Sequence, residues 1–497
     1  MLPLSIFSIN LLSGNLLLLS ALLIIVAVLV AKLGARVGAP ALLLFLGIGI
    51  LSGQDGMGIR FENLSLAENL GHFAMTVILF YGGLETSFKE VRPVVKQGVL
   101  LATLGEFLMV SLTGLALYLF ARPFVGGSTS SVLVCLLLAT VMSSTDSSSV
   151  FSILRNRKLR LREGIGPTLE LESVNNDPIA MTLTILLVEL FPLVEAGEMG
   201  TWALIGRGAG MFVLQIGIGL VIGVGIGYGS AWLLSRLNLP NGSLYSIFIM
   251  SLGFFASGLA SFCSGNGLLA AYLTAIIIGN RSEVPFKKEI LNFMAGLSWL
   301  MQLVMFLMLG LLARPSEMSG VFGPAALIAL IMIFVTRPLS VFLTLLPFRH
   351  MSFRARAYIS WVGLKGAGPI LFALYPVVEG MQGASLVFNV VFCVTLISLV
   401  VQGMTLTPMA RWLKLAYDED PEVETFGMDM PEEMGMLRDH VVGEEELTGG
   451  GTLRDLHLPH GIRVVMVRRD GKYLVPHGSM VLHKGDHLII VMGESDD

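Results

Sequence analysis

The 497-residue chain is 54% hydrophobic and 14% charged, with 56 glycines and a mean hydropathy of +0.78. Soluble globular proteins are about one quarter charged, so this composition excludes a soluble enzyme, a disordered chain and a nucleic-acid binder with a basic face. The formal net charge of −4 points to no partner, and Cys135, Cys263 and Cys393 all fall in apolar segments, which argues against a disulfide framework or a thiolate metal site.

In chain order, apolar segments that can span or half-span a bilayer are predicted over 11–31, 39–51, 70–88, 98–120, 132–154, 168–191, 202–235, 243–262, 267–279, 293–312, 322–346, 356–376 and 384–408. That makes thirteen spans, the second and ninth short. The first lacks the basic flank and small-residue cleavage pattern of a signal peptide. Lys and Arg concentrate in cytoplasmic loops, which tests the count independently. With the N-terminus outside, nineteen basic residues fall in inner loops and only Arg60, Arg122, Arg207 and Arg314 in outer ones. A multi-pass protein of a bacterial inner membrane is expected, with the C-terminus in the cytoplasm. The membrane part ends near residue 416, an acidic linker runs over 417–434, and 435–497 read as a small α+β cytoplasmic domain. In that domain RVVMVRR and KYLVP flank Asp470-Gly471, a hairpin signal, and HLIIVMG reads as a further strand.

Two spans contain sequence that a simple helix avoids. The fifth carries MSSTDSSS with Asp146 at its centre, and the twelfth carries GLKGAGP, where Gly363, Gly366, Gly368 and Pro369 surround Lys365. Irregular backbone at membrane depth is tolerated only where it is buried in protein or lines a cavity. The two interruptions lie seven spans apart, so spans 1–6 and 8–13 read as inverted repeats, a pattern that marks secondary-transporter sites. Close helix packing by small residues is the competing reading. Broken helices expose half-dipoles; Asp146 is suited to the positive end and Lys365 to the negative one.

Span six reads TLELESVNNDPIAM. Glu172 and Asn176 share one helix face, and Ser173 and Asp177 a neighbouring one. Pro178 removes an N–H and frees a carbonyl near Val174. Arg337, inside span eleven, needs a buried anionic partner, a role that suits Glu172. Asp177 is then the carboxylate free to exchange occupants, holding either a proton or an alkali cation. Ser173, Thr145 and backbone carbonyls at the span-five interruption can supply the neutral oxygens that a hard cation wants.

With ESVNNDP (172–178), STDSSS (144–149), Arg337-Pro338 and GLKGAGP (363–369), the membrane part resembles the monovalent cation–proton antiporters of the first type, the NhaP-like group. The resemblance implies thirteen spans, a homodimer and a transport domain moving against a dimerisation domain. It also implies that Asp177 binds ion and proton, that Asn176 is the preceding asparagine of the electroneutral pattern, that Glu172 and Arg337 form the buried ion pair, and that Thr145-Asp146 is the unwound-helix motif. Glu85 is an auxiliary ligand by similarity, with a solvated loop role as the alternative. Lys365 departs from the more usual arginine, and Asn175 from a usual apolar residue. The tail is similar to the TrkA-C (RCK-C) regulators of potassium conductance, which implies a dimeric ligand-sensing module. A nucleotide-like regulatory ligand there is open, and no other cofactor is expected. Histidines 440, 457, 460, 477, 483 and 487 lack tight ligand spacing and read as surface residues.

The expected function is electroneutral exchange of cytoplasmic K+ for external H+, with Na+/H+ exchange on the same fold as the alternative. Potassium rests on the tail's association alone. A tail-regulated potassium channel is a further class, but no repeated carbonyl filter is present. A non-transporting sensor sits poorly with charges inside the membrane. Partners are K+ or Na+, H+, membrane lipid and a second copy of the chain, with no nucleic acid.

Overall fold

A computed structural model describes residues 16–37, 40–61, 63–125, 129–157, 159–197, 200–281, 284–418, 437–443, 451–454, 456, 462–469 and 472–492. The chain divides into two compact units, 1–418 and 419–497.

The first unit is helical because lipid offers no partner to a free N–H or C=O. Leu16–Val37 (α1) and Ala41–Ser52 (α2) meet at Pro40. Leu64–Glu85 (α3) starts where the Asn63 side chain accepts a bond from Leu66 N at 2.9 Å. Its opening two turns carry Ser65, Glu68 and Asn69, and the helix begins six residues before the apolar segment predicted from 70. Phe88–Val91 (α4), Val95–Leu100 (α5) and Glu106–Val125 (α6) run on with a 3-10 turn at Arg92–Val94 and a π-helical turn at Leu101–Gly105. Thr129–Val141 (α7) and Ser147–Asn156 (α8) are the halves of an interrupted helix. Ile165–Glu195 (α9), Thr201–Leu234 (α10), Gly242–Phe262 (α11), Gly267–Arg281 (α12) and Lys287–Leu312 (α13) follow.

After the short Pro315–Met318 (α14), Phe322–Ile331 (α15) and Arg337–Thr344 (α16) are joined through a second π-helical turn, Met332–Thr336. Phe353–Trp361 (α17) and Ala367–Val378 (α18) are again halves of one interrupted helix, and Ala384–Trp412 (α19) ends the helical part. Among the described residues eight helices are long and apolar enough to cross a membrane, and five more are shorter and apolar. The protein is thus a mostly helical membrane protein. Leu159–Leu161 (β1) pairs antiparallel with Ala416–Asp418 (β2), so regular structure continues into the first two residues read as linker.

The outward faces suit lipid. Only 11% of the apolar window of α10 is buried, and Trp202 and Trp232 stand exposed near its ends. Thirty residues of helix rise about 45 Å, the thickness of a bilayer with its headgroups, and Trp is favoured at both interfaces. Within the bundle, glycines set the closest approaches. A Cβ on Gly49 would lie 2.3 Å from the Leu307 carbonyl oxygen, and one on Gly310 would lie 2.4 Å from that of Leu46, so α2 and α13 touch backbone to backbone. Close contact of this kind supplies dispersion attraction where no hydrophobic drive exists between helices.

In the second unit, Leu437–Val441 (β3), Ile462–Arg469 (β4), Lys472–Leu474 (β5) and His487–Met492 (β6) form an antiparallel sheet in the order β3-β6-β4-β5. Arg469 is registered against Lys472 across the predicted hairpin. β3 was not expected, and the helical part of the α+β expectation has no counterpart among the described residues. The sheet covers a small core of Val442, Val467, Leu482, Leu488 and Ile490. Arg469 holds the buried Asp486 in a fork, Nε to Oδ1 at 2.8 Å and Nη2 to Oδ2 at 2.6 Å. Of the six tail histidines, 477 and 483 are exposed, 440 and 487 are half-buried, and 457 and 460 lie outside the described residues.

Two predictions follow from these contacts. Gly310→Val forces apart two backbones in van der Waals contact, at a cost of about 2 kcal/mol or more; a lowered thermal midpoint in detergent is the expected result. The Arg469 bonds hold the Asp486 carboxyl below its ordinary value of 3.8. A depressed native value stabilises the fold fully above that ordinary value, and the contribution is lost as pH falls through the native one. Hydrogen exchange across residues 462–492 of the full-length protein is therefore expected to show constant protection above about pH 4 and falling protection below it.

Candidate functional site

The site is built where the two interrupted helices cross. Residues 142–146 and 362–366 leave the helical path, and several of their backbone groups are met across the crossing or by a neighbouring helix. Asp146 N donates to the Leu364 carbonyl at 2.9 Å. Ser147 N donates to Ser173 Oγ at 2.9 Å, and that hydroxyl donates onward to the Thr145 carbonyl at 2.6 Å. On the other side Lys365 N donates to Ser398 Oγ at 2.9 Å. A serine from α9 and one from α19 thus each close an open backbone. Gly366 is required by contact: a Cβ there would sit 2.2 Å from Asp146 Oδ2.

The half-helix ends are met by charge. Asp146 is the N-cap of α8, accepting from Ser149 N at 3.0 Å and from the Ser148 hydroxyl at 2.6 Å. Lys365 Nζ donates to the carbonyls of Ser143 (2.8 Å) and Ser144 (3.0 Å), just beyond the C-terminal end of α7. Each charge faces a partial charge of opposite sign.

A cavity of about 500 Å³ reaches this crossing, lined by Asp177, Ser173, Thr145, Asp146 and Ser144, with Glu85 and Glu90 also on its wall. Asp177 is buried to 8% exposure, yet it lines the cavity and accepts a bond from the Ser144 hydroxyl. Among the described residues no Lys or Arg forms an ion pair with it. Gly368, at the start of α18, lies so near that a Cβ would stand 3.5 Å from Asp177 Oδ1, so a positive half-helix end faces the carboxylate. Pro178 leaves the Val174 carbonyl without its helical donor, and Val174 also lines the cavity.

The sequence-predicted residues divide into three groups. Asp177, Ser173 and Thr145 come together at the crossing, but the Ser173 hydroxyl is committed to holding the interruption. Asn176 does not line the cavity; its amide donates to Thr145 Oγ1 at 2.7 Å, and its own Oδ1 has no hydrogen-bond partner. Glu85 is exposed on the wall of the same cavity. Glu172 and Arg337 form a buried ion pair at 2.5 Å. Four further residues were not singled out. Ser144 contacts Asp177, and Glu106 is buried and accepts from the Ser143 hydroxyl. Asn266 donates to the Pro178 carbonyl and to Thr182 Oγ1, both at 2.7 Å, tying the start of α12 to α9. Gln402 donates to the Trp361 carbonyl at 2.8 Å behind the second interruption. Of these, Ser144 stands in the polar run MSSTDSSS and Glu106 is a lone glutamate inside LATLGEFLMVSL, whereas Asn266 and Gln402 carried no such signal.

An aspartate lining a cavity in an apolar helical bundle, at the crossing of two interrupted helices, defines a multi-pass membrane transporter. Residues 18–412 match the sodium/hydrogen exchanger transmembrane family, and 449–496 match the TrkA-C domain. The chain is 37% identical over 485 residues to the K(+)/H(+) antiporter NhaP2 of Shewanella oneidensis, covering 96% of this chain and 81% of that protein. It is 35% identical to the K(+)/H(+) antiporter NhaP of Alkalimonas amylolytica (95% and 80% covered). It is 27% identical to the Na(+)/H(+) antiporter NhaH of Halobacillus aidingensis (79% and 96%). The fold is similar to that of the sodium proton antiporter MjNhaP1 from Methanocaldococcus jannaschii, with a TM-score of 0.67, 21% identity, and 79% of this chain and 97% of that one covered. The chain belongs to the sodium/hydrogen exchanger family and carries a TrkA-C domain.

Glu172→Gln would leave Arg337 buried without its anion. Breaking a buried pair from one side costs about 3–5 kcal/mol, so a large fall in thermal midpoint is expected, measured in detergent by loss of the monodisperse peak.

Proposed function

We propose that the protein is an electroneutral antiporter that exchanges K+ for H+, one for one, at Asp177. The observation that carries this reading is a membrane-buried carboxylate that lines a cavity and is left without a fixed base. A proton and a cation then compete for one seat, because binding either neutralises the charge that attracts the other. If only the neutralised form passes between the two faces, uptake of one occupant requires release of the other. The Val174 carbonyl, Thr145 and Ser144 supply neutral oxygens for a hard cation. Asn176, in the place where a second acid would add charge, supports a single exchanged charge per cycle.

The wider frame is part of the same proposal. The eight long and five short apolar helices, with α8 and α17 joined to α7 and α18 as the other halves of the same crossings, are read as thirteen spans in inverted repeats. In this reading 1–416 is the exchanger domain, 417–434 a linker and 435–497 a cytoplasmic regulatory domain, in a homodimer of the inner membrane with the N-terminus outside. The cavity wall includes Ser87, Glu90 and Val91, which adjoin Lys89, Arg92 and Lys96. The positive-inside rule makes that side cytoplasmic and this conformation inward-facing. Potassium is favoured over sodium because the relatives at 35–37% identity are named K(+)/H(+) antiporters. The Na(+)/H(+) name of the relative at 27% keeps sodium exchange as the second reading. Membership of an exchanger family favours exchange over the channel alternative.

Proteoliposomes carrying a pH-sensitive dye test the proposal. K+ is expected to dissipate an imposed pH gradient with the wild-type protein and not with Asp177→Asn, without generating a membrane potential. Wild-type rates in Asp177→Asn would refute the assignment.

A further inference from the structure

The exchange reading leaves one buried carboxylate without a role. Glu106 follows the π-helical turn Leu101–Gly105, as Arg337 follows the π-helical turn Met332–Thr336. Such turns are frequent at functional sites because they re-aim the residues around them. The two helices are joined there: the Ser340 hydroxyl donates to the Gly105 carbonyl at 2.7 Å, and Thr113 donates to Thr336 at 3.0 Å. Arg337 is thereby directed to Glu172. Glu106 is directed to the first interruption, where it accepts from the Ser143 hydroxyl. It is 3% exposed and does not line the cavity that Asp177 lines.

Ser143 joins Glu106 to Lys365, because its hydroxyl serves the carboxylate while its carbonyl accepts from Lys365 Nζ. The next residue repeats the arrangement toward the other acid: the Ser144 carbonyl accepts from Lys365 Nζ, and the Ser144 hydroxyl donates to Asp177. One lysine therefore stands behind two consecutive serines, with a carboxylate attached to each. The charged groups facing Glu106 are Lys365, Arg337 and Glu172, and those facing Asp177 are Asp146, Glu106 and Lys365. Glu172 is matched by Arg337, and Asp146 by the N-terminus of α8. The lysine is left between a carboxylate that lines the cavity and one that does not.

We propose that Glu106 is the fixed counter-charge of Lys365, a positioning residue that keeps the lysine from acting as a permanent partner of Asp177 and so sets how readily Asp177 takes up its proton. With Glu106 present, the lysine's charge is already answered, and Asp177 needs a mobile cation or proton to become neutral. Without it, the lysine answers Asp177 instead, and the proton competes less well. The proposal rests on the exchange reading for its measurement and on the contacts above for its geometry.

The test is the pH profile of cation-driven exchange in proteoliposomes for wild type, Glu106→Gln, Glu106→Asp and the double variant Glu106→Gln/Lys365→Gln. Gln keeps the shape of the side chain and an acceptor for Ser143. At an effective dielectric near 20, one buried charge changes a neighbour's proton affinity by about one unit. The E106Q profile is therefore expected to move by about one pH unit toward acid, E106D to stay at the wild-type position, and the double variant to return toward it. An unmoved E106Q profile, which would mean that Glu106 is neutral throughout, overturns the proposal, as does an equal shift in E106D. Should E106Q fail to fold, E106D, which keeps the charge, is expected to fold and to exchange with its profile at the wild-type position, and a displaced E106D profile overturns the proposal. A wild-type protein that shows no exchange would overturn the exchange reading itself; a working wild type with an unmoved E106Q profile removes only the role of Glu106.

Discussion

The structure depends on a shortage of hydrogen-bond partners. Two helices stop in the middle of an apolar bundle, and every amide and carbonyl released there needs a partner that lipid cannot supply. The solution is reciprocal: Asp146 N bonds across to Leu364, Ser147 N to Ser173, and Lys365 N to Ser398. Each of these bonds ties an interruption to the other one or to a neighbouring helix. Ser144, Thr145 and Ser173, which help to hold the crossing, also line the cavity beside Asp177, so the crossing and the site are one object.

Charge follows the same logic. A half-helix end is a partial charge held in place by its own peptides, and Asp146 and Lys365 complement the two that face each other. Glu172 and Arg337 cancel directly. What remains negative and next to the cavity is Asp177, with the N-terminus of α18 close by. Among the described residues no cation of the protein is bonded to it. In the proposed exchange, that lack of a fixed partner lets it bind a guest and release it again.

Much of this was legible in the residues, for physical reasons. Ser143 to Ser149 and the glycines around Lys365 stand out because polar or helix-weakening residues are costly in an apolar span. Asp177 and Arg337 stand out because a buried charge is costlier still. Other features left no such mark. A π-helical turn changes one hydrogen bond in a continuous helix, and LATLG and MIFVT look like any apolar turn. Asn266 lies between Gly265 and Gly267, a composition shared by ordinary loops, so its bonds to Pro178 and Thr182 appear only in three dimensions. Strands of three residues such as Leu159–Leu161 are too short for alternation to register. Helix starts were displaced where polar residues fall in the opening turns, as Glu68 and Asn69 do in α3, because hydropathy marks the membrane core and a cap marks the end of the hydrogen-bond ladder.

The small ladder between Leu159–Leu161 and Ala416–Asp418 has a mechanical consequence. The chain leaves the membrane unit through a strand bonded to the segment that joins α8 to α9. One end of that segment leads to the capped half-helix and the other to the rod bearing Asp177. A pull or twist on the departing polypeptide is therefore shared between α19, to which the strand is covalently joined, and the short tether between those two elements.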